Sequence, residues 1–394
     1  MINLNFANKL FICTPLMHAF KRSISSKTLR ASIGLEVKKP APFPYKEKNY
    51  SLLDSLIDHT TKRFDENTKL IVLEGPVGIG KTEIGKQLAD ELGMHFMPDV
   101  TMDSYYINNY GYDMRKLDSQ LPVNCQSFDE QNFLQSPNHY NAAAFQIIKF
   151  KLRYAHYIDA IAHVLNTGDG VIIERSPFSD FVFLEAMYKC KYVSKMVYKI
   201  YYTLYRHAMP DLLHPNLVIY LDVPVSKILE QIKKRNQPNE VNSKAMNAEY
   251  LECMEDQFKS KFLRDINLKS EVLVYDWSEG GDADIIVEDI ERIDFDNYTN
   301  DDPKIQDWNY SREQYWADVR MKYTNCKEDL IANFNVPVFD APELNIPGEE
   351  VETLTHAWFN AEGNTHEEGF NPKYHKLSEI MFKTRETKKW DPVS

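Results

Sequence analysis

No apolar run in the 394-residue sequence approaches 18 residues, so the sequence predicts no membrane-spanning helix. Its five cysteines are odd in number, widely spaced and without a CxxC pair, which argues against a disulfide framework or a zinc site and suits a reducing compartment. An excess of positive charge is also missing: the formal net charge of −12 argues against nonspecific binding to nucleic acid or to an anionic membrane surface. What is present, 43% hydrophobic and 26% charged residues, is typical of a globular protein with a sizeable core.

Acidic side chains are absent from the first 35 residues, because the first of them is Glu36. The same stretch contains serines and five cations, namely Lys9, Lys21, Arg22, Lys27 and Arg30. This composition predicts a mitochondrial transit peptide over residues 1–35, cleaved between about Ser23 and Leu35, and therefore a location in the mitochondrial matrix. The alternative is a disordered basic tail without a targeting role. Residues 36–67, which include the Pro-rich stretch KKPAPFPYKEK, are predicted to form a linker and a short amphipathic lead-in.

Apolar runs alternate with helix-like stretches between residues 68 and 295, which predicts an α/β domain. Because several runs are short and nearly continuous, we expect parallel strands covered on both faces, in a three-layer, doubly wound, five-stranded sheet. The predicted strands are Leu70–Glu74, Met94–Met97, Gly170–Glu174, Leu217–Asp222 and Glu271–Tyr275. The predicted long helices are Ala142–Asn166, Ser176–Tyr205, Val225–Arg235 and Met246–Asp265.

The stretch GPVGIGKT directly follows the first predicted strand and fits the phosphate-loop pattern G-x-x-x-x-G-K-[ST]. Its glycines allow the backbone to wrap around phosphate oxygens, and the N-terminus of the following helix favours an anion. We expect Lys81 to reach the terminal phosphates and Thr82 to bind Mg²⁺ through its hydroxyl. The alternative is a glycine turn that only joins a strand to a helix. The glycines predicted to surround the phosphates are Gly75, Gly78 and Gly80.

A second cluster, GDGVIIERSPFSD, places Glu174 and Arg175 at the end of another predicted strand. Ligands of parallel α/β sheets bind at the carboxyl ends of the strands. A carboxylate at that position can organise Mg²⁺, and a guanidinium can hold a phosphate bidentately. Alone, the E-R-S triplet would equally suit an ion pair that caps a helix; after a phosphate loop it indicates a second part of the same site.

Four motifs in this order resemble those of the deoxynucleoside kinase family over about residues 68–295. AAAFQIIKFKLRYAHY resembles the helix whose glutamine contacts the substrate base, which corresponds to Gln146. GVIIERSPFSDFVFLEAMY resembles the family's E-R-S strand and the helix after it. HPNLVIYLDVPVSKILEQIKKR resembles the elements that lead to the basic lid, which assigns Lys234 and Arg235 to phosphate binding. LVYDWSEGGDADIIVEDI resembles the last strand and the adenine-contacting loop after Asp276.

Two departures from the family pattern predict poor catalysis. Active members place a carboxylate base in a Glu-Pro-Val-like motif at the end of the second strand, whereas this chain has Pro98-Asp99-Val100. Asp99 is thus a candidate for a displaced base only, and losing a general base typically costs about 10²–10⁴ in rate. The lid has Lys233, Lys234 and Arg235 but lacks a further arginine, and arginines that stabilise the transition state contribute about 10³–10⁵.

Two additions extend the kinase-like domain: an insert at about residues 101–140 and an extended C-terminal arm, residues 296–394. With the altered base and lid, they resemble one branch of the family, the kinase-like accessory subunits of mitochondrial respiratory complex I (NADH:ubiquinone oxidoreductase). The resemblance implies a subunit on the matrix side of the membrane arm that supports assembly or stability and carries no redox centre of its own. The arm is predicted to dock through its aromatic residues: Trp308, Tyr310, Tyr315, Trp316, Phe334, Phe339, Trp358, Phe359, Phe370, Tyr374, Phe382 and Trp390.

The rival interpretation is an active mitochondrial deoxynucleoside kinase that transfers the γ-phosphoryl group of ATP to a nucleoside 5′-hydroxyl. A generic phosphate-loop ATPase or GTPase is less favoured, because Gln146 and ERSPFSD suit a nucleoside pocket better. The expected ligand is a purine nucleotide with Mg²⁺. FAD in the same cleft is a weaker alternative, since the chain has no G-x-G-x-x-G fingerprint.

Overall fold

In the computed structural model, the protein is described over residues 24–33, 39–295, 297–298, 302–361 and 363–364. The five strands are β1 Leu70–Glu74, β2 His95–Met97, β3 Val171–Glu174, β4 Leu217–Asp222 and β5 Glu271–Asp276. The first eight helices are α1 Lys27–Ile33, α2 Leu52–Ile57, α3 Lys81–Leu92, α4 Asp103–Tyr106, α5 Glu130–Gln135, α6 Ala142–Thr167, α7 Phe181–Lys189 and α8 Lys195–Ala208. The next eight are α9 Val225–Arg235, α10 Pro238–Val241, α11 Ala248–Gln257, α12 Leu263–Ile266, α13 Ala283–Glu291, α14 Glu313–Asn325, α15 Lys327–Ile331 and α16 Gly348–Asn360.

All strand pairs are parallel, and the sheet order is β2-β3-β1-β4-β5. β1 lies at the centre and all five of its residues are buried, so both of its faces are covered. Helices α3 and α6 both contact β1 and β3. The predicted α/β class and five-stranded parallel sheet are therefore confirmed. The carboxyl ends of β1, β2 and β3 meet at one edge, which brings the loops after them together.

Two predicted helices differ from the observed ones. The predicted helix Ser176–Tyr205 is wrong: residues 176–180 form a turn, and α7 and α8 are separate. Lys191 between them has φ 61°, and the Ser194 hydroxyl accepts a hydrogen bond from the Val197 N–H and begins α8. Within the predicted helix Met246–Asp265, α11 continues through a π-helical turn, Phe258–Phe262, into α12.

The end of the predicted transit peptide packs onto the domain. Ile24 is fully buried, and the backbone N–H of Ser25 donates to Asn67 Oδ1 at 2.8 Å. The Ser26 N–H donates to Glu291 Oε1, also at 2.8 Å. Residues 1–23 and 34–38, the rest of the predicted transit peptide and the start of the linker, lie outside the described residues.

The described part of the C-terminal arm packs back on the α/β domain. Trp316 of α14 is buried, and the Phe334 ring lies 4.9 Å from that of Phe150 in α6. Further along, the arm meets the insert, where Asn124 Nδ2 donates to the Glu350 carboxylate at 3.1 Å. Several arm aromatics stay exposed, with Phe339 at 85% and Phe359 at 61%. Phe370, Tyr374, Phe382 and Trp390 lie outside the described residues.

Candidate functional site

The predicted phosphate loop connects β1 to α3. Gly80 precedes α3 with φ 80°, a conformation that favours glycine, and the helix begins at Lys81. Gly78 has φ 78°, which also favours glycine, and a Cβ there would lie 2.3 Å from Arg235 Nη2, so the guanidinium would have to move. The loop therefore has the strand before it and the helix after it that phosphate binding requires.

Lys81 is buried inside this loop. Its Nζ donates to the Pro76 carbonyl at 2.6 Å and lies 3.9 Å from Glu174 Oε1. Burial, together with the positive charge of Arg175, lowers the pKa of Lys81 to about 7, although the Glu174 carboxylate acts in the opposite direction. Glu174 is thus a distant ion-pair partner that does not accept a hydrogen bond from Lys81, and the amine can turn to a phosphate in the loop.

Thr82 and Glu174 form the candidate Mg²⁺ site. The Thr82 hydroxyl donates to Glu174 Oε2 at 2.7 Å. Mg²⁺ binds six oxygens at about 2.0–2.1 Å, so neighbouring ligands lie about 2.9 Å apart, and this oxygen pair fits two adjacent positions. Among the described residues, no group of three or more His, Cys, Asp and Glu side chains could hold a metal ion. Phosphate oxygens and water would therefore have to supply the other ligands.

Arg175 follows β3 with φ 65°, and its guanidinium lies between the carboxylates of Glu74 and Asp99. Its Nε lies 3.5 Å from Asp99 Oδ2, and its Nη1 lies 3.9 Å from Glu74 Oε2. Within the described structure, neither Nη1 nor that Glu74 oxygen has a hydrogen-bond partner. A donor of Arg175 thus remains unused at the phosphate loop.

Glu74 is a buried carboxylate that the sequence analysis did not identify. Its Oε1 accepts hydrogen bonds from the Ser176 N–H at 3.0 Å and from the Ser179 hydroxyl at 2.6 Å. Burial raises the pKa of Glu74 despite the nearby Arg175 charge and these hydrogen bonds. A glutamate at the end of an otherwise apolar strand, directly before the glycine loop, was the available signal. Glu74 holds the turn after β3 in place.

Asp99, the candidate displaced base, is held by two arginines. Its carboxylate accepts from Arg153 Nε at 3.1 Å and from Arg153 Nη2 at 3.0 Å, in addition to the contact with Arg175. Burial alone would raise the pKa of Asp99, but the charges of Arg153, Lys149 and Arg175 outweigh it and hold the pKa well below its usual range. A carboxylate with so low a pKa is a weak proton acceptor.

Gln146, on α6, belongs to a buried hydrogen-bond network centred on Asp180. Its Nε2 donates to Asp180 Oδ2 at 2.8 Å, and the same carboxylate accepts from the Tyr201 hydroxyl at 2.6 Å and from Arg153 Nη1 at 2.5 Å. The sequence analysis missed Arg153 and Asp180. Arg153 lies seven residues after Gln146, on the same helix face, and Asp180 ends the ERSPFSD motif, so both signals were present.

A cavity of about 270 Å³ joins these groups. Its walls include Gly78, Lys81, Asp99, Gln146, Glu174 and Arg175. The insert forms one side: Phe133 stacks on Phe145 with ring centres 5.4 Å apart, and Glu130 Oε1 accepts from Lys149 Nζ at 2.9 Å. The cavity combines cations at one end with aromatic rings at the other, which suits a phosphorylated ligand with a flat ring system.

The remaining predicted residues lie around the cavity and not in it. Arg235 Nη2 lies above Gly78 and forms an ion pair with Glu240 at 2.9 Å. Lys234 is exposed at the end of α9 and does not line the cavity. Asp276 is also exposed, and its carboxylate accepts hydrogen bonds from the Ser278 N–H at 3.0 Å and hydroxyl at 2.5 Å. The roles assigned to Lys234 and Asp276 stay predictions.

A family model described as "Deoxynucleoside kinase" matches residues 71–309 of the chain. The chain is similar to "NADH dehydrogenase (ubiquinone) 1 alpha subcomplex subunit 10, mitochondrial" of Rattus norvegicus, with 32% identity over 325 residues, 82% of this chain and 86% of that protein. The protein of the same name from Bos taurus is 30% identical over 316 residues, 80% of this chain and 87% of that protein.

Similarity extends to kinases. The deoxyguanosine kinase of Dictyostelium discoideum is 27% identical over 283 residues, which cover 71% of this chain and 89% of that protein. Among solved structures, deoxyadenosine kinase from M. mycoides with bound dATP covers 56% of this chain and 96% of its own, with 20% identity and a TM-score of 0.42.

Proposed function

The chain belongs to the deoxynucleoside kinase family, and from this premise we propose that it is an accessory subunit of mitochondrial complex I, with a nucleotide pocket that no longer catalyses phosphoryl transfer. A rat protein named as a mitochondrial complex I subunit matches 82% of the chain, which supports this proposal. The kinase-like domain serves, in this proposal, as a scaffold for assembly or stability of the complex.

The observation that carries the non-catalytic part of the proposal is the state of Asp99. A general base has to be within hydrogen-bond reach of the proton it accepts, with a pKa near the working pH. Asp99 instead accepts hydrogen bonds from Arg153 at 3.0 and 3.1 Å and has a strongly lowered pKa. Freeing this carboxylate would leave the buried Arg153 with Asp180 as its remaining acidic partner.

The lid supports the same conclusion. All three cations at the end of α9 are exposed, and of these Arg235 approaches the phosphate loop at Gly78. Arg235 is itself paired with Glu240 at 2.9 Å. A single, partly neutralised arginine supplies less stabilisation to a transferring phosphoryl group than the arginine clusters that accelerate phosphoryl transfer.

The pocket is proposed to bind a purine nucleotide. Lys81, Arg175 and the loop glycines would hold the phosphates, while Gln146 and the stacked Phe133 and Phe145 would surround the base and sugar. Thr82 and Glu174 would hold Mg²⁺, which when bound neutralises phosphate charge. Lys234 at the end of α9 and Asp276 at the end of β5 are exposed and do not line the cavity, so a role for them in nucleotide binding stays a prediction.

The subunit is proposed to lie peripherally on the matrix side of the membrane arm. No helix in the described ranges of the chain is long and apolar enough to cross a membrane. The proposed contacts with other subunits come from the exposed aromatic residues of the arm, such as Phe339 and Phe359, and from the insert against which the arm packs.

The second candidate function is an active mitochondrial deoxynucleoside kinase. The observation that favours it is the arrangement of the predicted site residues. The cavity is lined by Lys81, Gln146, Glu174 and Arg175, and the Thr82 hydroxyl donates to Glu174 at the candidate Mg²⁺ site. Its weakness is the same Asp99 geometry. The two candidates therefore differ in one measurable property, turnover.

Two measurements test the proposal. First, the purified mature chain is incubated with MgATP and each of the four deoxynucleosides; we expect nucleotide-dependent stabilisation but no product above background. A purine nucleotide at 100 times its dissociation constant should raise the free energy of unfolding by about 2.7 kcal/mol, and Lys81→Ala should reduce this gain. Lys86→Ala, an exposed lysine of the same helix, is the matched control. Robust phosphorylation of a deoxynucleoside would refute the non-catalytic part.

Second, a native gel of mitochondria separates the two assemblies. Migration with complex I supports the subunit proposal. Migration as a small soluble dimer would refute it and favour the kinase.

A further inference from the structure

The short helix α2 exposes its apolar face. Leu52, Leu53, Leu56 and Ile57 are 72%, 73%, 74% and 83% exposed, and no residue of this helix is buried. At 100° per residue these four side chains cover about 140° of the helix, next to each other. A surface helix of a globular protein normally turns such a face toward the core. We call this face the α2 ridge.

The ridge is held rigidly, although a helix of six residues is not stable by itself. Ser51 and Asp54 form a capping box at its start. Tyr50, before the helix, is fully buried and its hydroxyl donates to the Asp58 carbonyl at 2.8 Å, so the two ends of the helix are joined. A fixed apolar face loses little conformational entropy when a partner covers it.

The two ends are also fixed to the arm. The Tyr50 N–H donates to Asn325 Oδ1 at 3.0 Å, and Asn325 Nδ2 donates to the Tyr50 carbonyl at 2.8 Å. Arg320 of α14, with no exposed surface, donates to Asp58 Oδ2 at 2.8 Å. These bonds make the ridge part of the folded domain and not a loose lead-in to it.

The exposed apolar area of the α2 ridge limits which kind of partner can cover it. Four aliphatic side chains exposed by about three quarters present roughly 500 Å², which is at the size of the largest apolar patch on an ordinary monomer. A stable pair of proteins buries about 800 Å² on each partner. A second copy of this chain seated on the ridge would fall short of that area. The ridge therefore suits one contact among several within a larger assembly.

Charge argues against a lipid surface. Helices that lie on membranes carry clusters of Lys and Arg on their polar side. Here the polar side has Asp54 and Ser55, and the neighbouring Lys48 is paired with Asp54 at 2.6 Å. The chain as a whole carries a formal charge of −12. An apolar groove on a protein, which accepts aliphatic anchors of a helix, is the better complement.

We propose that the α2 ridge inserts into an apolar groove on a neighbouring subunit of complex I, which adds a docking element on the N-terminal side of the kinase-like domain to those of the insert and the arm. This inference rests on the proposed function. It predicts that the ridge contributes to incorporation into the complex and not to the fold of the isolated chain.

The test uses the full chain, expressed in cells that lack the endogenous protein. The variant Leu53→Glu/Leu56→Glu places two charges in the ridge, and Gln314→Glu places a charge at an exposed position on the adjacent α14 as a matched control. Native gels of the mitochondria report incorporation. We expect the wild type and the control to migrate with complex I. The amount of the double variant in the complex I band should be at least tenfold lower than that of the wild type.

The other possible results contradict either the inference or the proposed function. Normal incorporation of the double variant would overturn the inference and leave the proposed function intact, whereas absence of the wild type from complex I would refute the proposed function itself. A lowered urea midpoint of the purified double variant would mean that the chain's own residues cover the ridge, and would overturn the inference too. Wild-type binding to phosphatidylcholine–cardiolipin vesicles that the double variant loses would assign the ridge to lipid and likewise overturn it.

A cross-linking measurement does not depend on the folding of the variant. A benzophenone side chain at position 56 of the otherwise wild-type chain should cross-link to a second complex I subunit in purified complex. Cross-links confined to this chain would contradict the inference.

Discussion

Arg320 connects the C-terminal arm to the N-terminal lead-in, and its removal should destabilise the protein measurably. It has no exposed surface; its Nη2 donates to Asp58 Oδ2 at 2.8 Å, its Nη1 to the Asp58 carbonyl at 3.2 Å, and its Nε to Asn166 Oδ1 at 2.8 Å. The guanidinium carbon lies 3.9 Å from the centre of the Tyr50 ring. Arg320→Met keeps much of the side-chain volume and removes every donor.

The expected loss follows from these contacts. Removing one member of a buried ion pair costs about 3–5 kcal/mol. Asp58 keeps its second partner, Arg63, whose Nη2 lies 2.6 Å away, and the Asp58 side chain is 20% exposed, so we expect the lower end, about 3 kcal/mol. Burial alone would raise the pKa of Asp58, but hydrogen bonds from Arg63 and Arg320 hold it below its usual value of 3.8. The pair therefore stabilises the fold above about pH 4, and its contribution decreases as the pH falls through the lowered pKa.

Urea unfolding of the purified chain, followed by tryptophan fluorescence, measures this loss at pH 7 and at pH 3. The difference between wild type and Arg320→Met should be smaller at the lower pH. Arg312→Met, at the exposed residue before α14, should change the free energy of unfolding by less than about 0.5 kcal/mol. A loss below about 1 kcal/mol for Arg320→Met at pH 7 would refute the reasoning.

Three further predictions concern other regions. Burial and the adjacent His95 lower the pKa of His163 to about 4, so the folded protein binds fewer protons than the unfolded chain between pH 6.5 and 4. The free energy of unfolding should therefore decrease by about 1–2 kcal/mol, after solvent screening, as the pH is lowered from 6.5 to 4. In urea titrations at a series of pH values, His163→Gln should remove this pH dependence. N-terminal sequencing of the mitochondrial protein should find a start no later than Ile24, at the early end of the predicted range Ser23–Leu35, because later cleavage would remove the buried Ile24; an intact Met1 would contradict import and trimming. A chain truncated near Asn297, if it folds and binds nucleotide, should not restore complex I in cells that lack the protein; normal complex I levels with it would exclude docking by the arm.

The sequence alone was sufficient to predict the strands, helices and turns whose bounds depend on residues close together in the chain. β1, β4 and α9 begin and end at the predicted residues, because continuous apolar runs or a helical repeat are bounded there by turn residues. The phosphate loop follows the same logic, since its glycines and Lys81 lie within one strand–turn–helix unit. The break between α7 and α8 was missed because apolar residues continue across it, while a positive φ at Lys191 interrupts the helix.

Tertiary structure decided which polar groups are available and which apolar faces are covered. Asp99 follows β2, as predicted, but Arg153, 54 residues away, pairs with its carboxylate, which no local pattern around Asp99 indicates. The apolar residues of α2 lie on one face, and such a face would be expected to pack on the core. Contacts of Tyr50, Asn325 and Arg320 instead hold the helix with that face toward the solvent. Ile24 lies in a segment with the composition of a transit peptide and is nevertheless fully buried. A sequence pattern reports the chemistry of neighbouring residues, whereas pairing and burial depend on contacts between distant ones, which only the folded chain brings within reach.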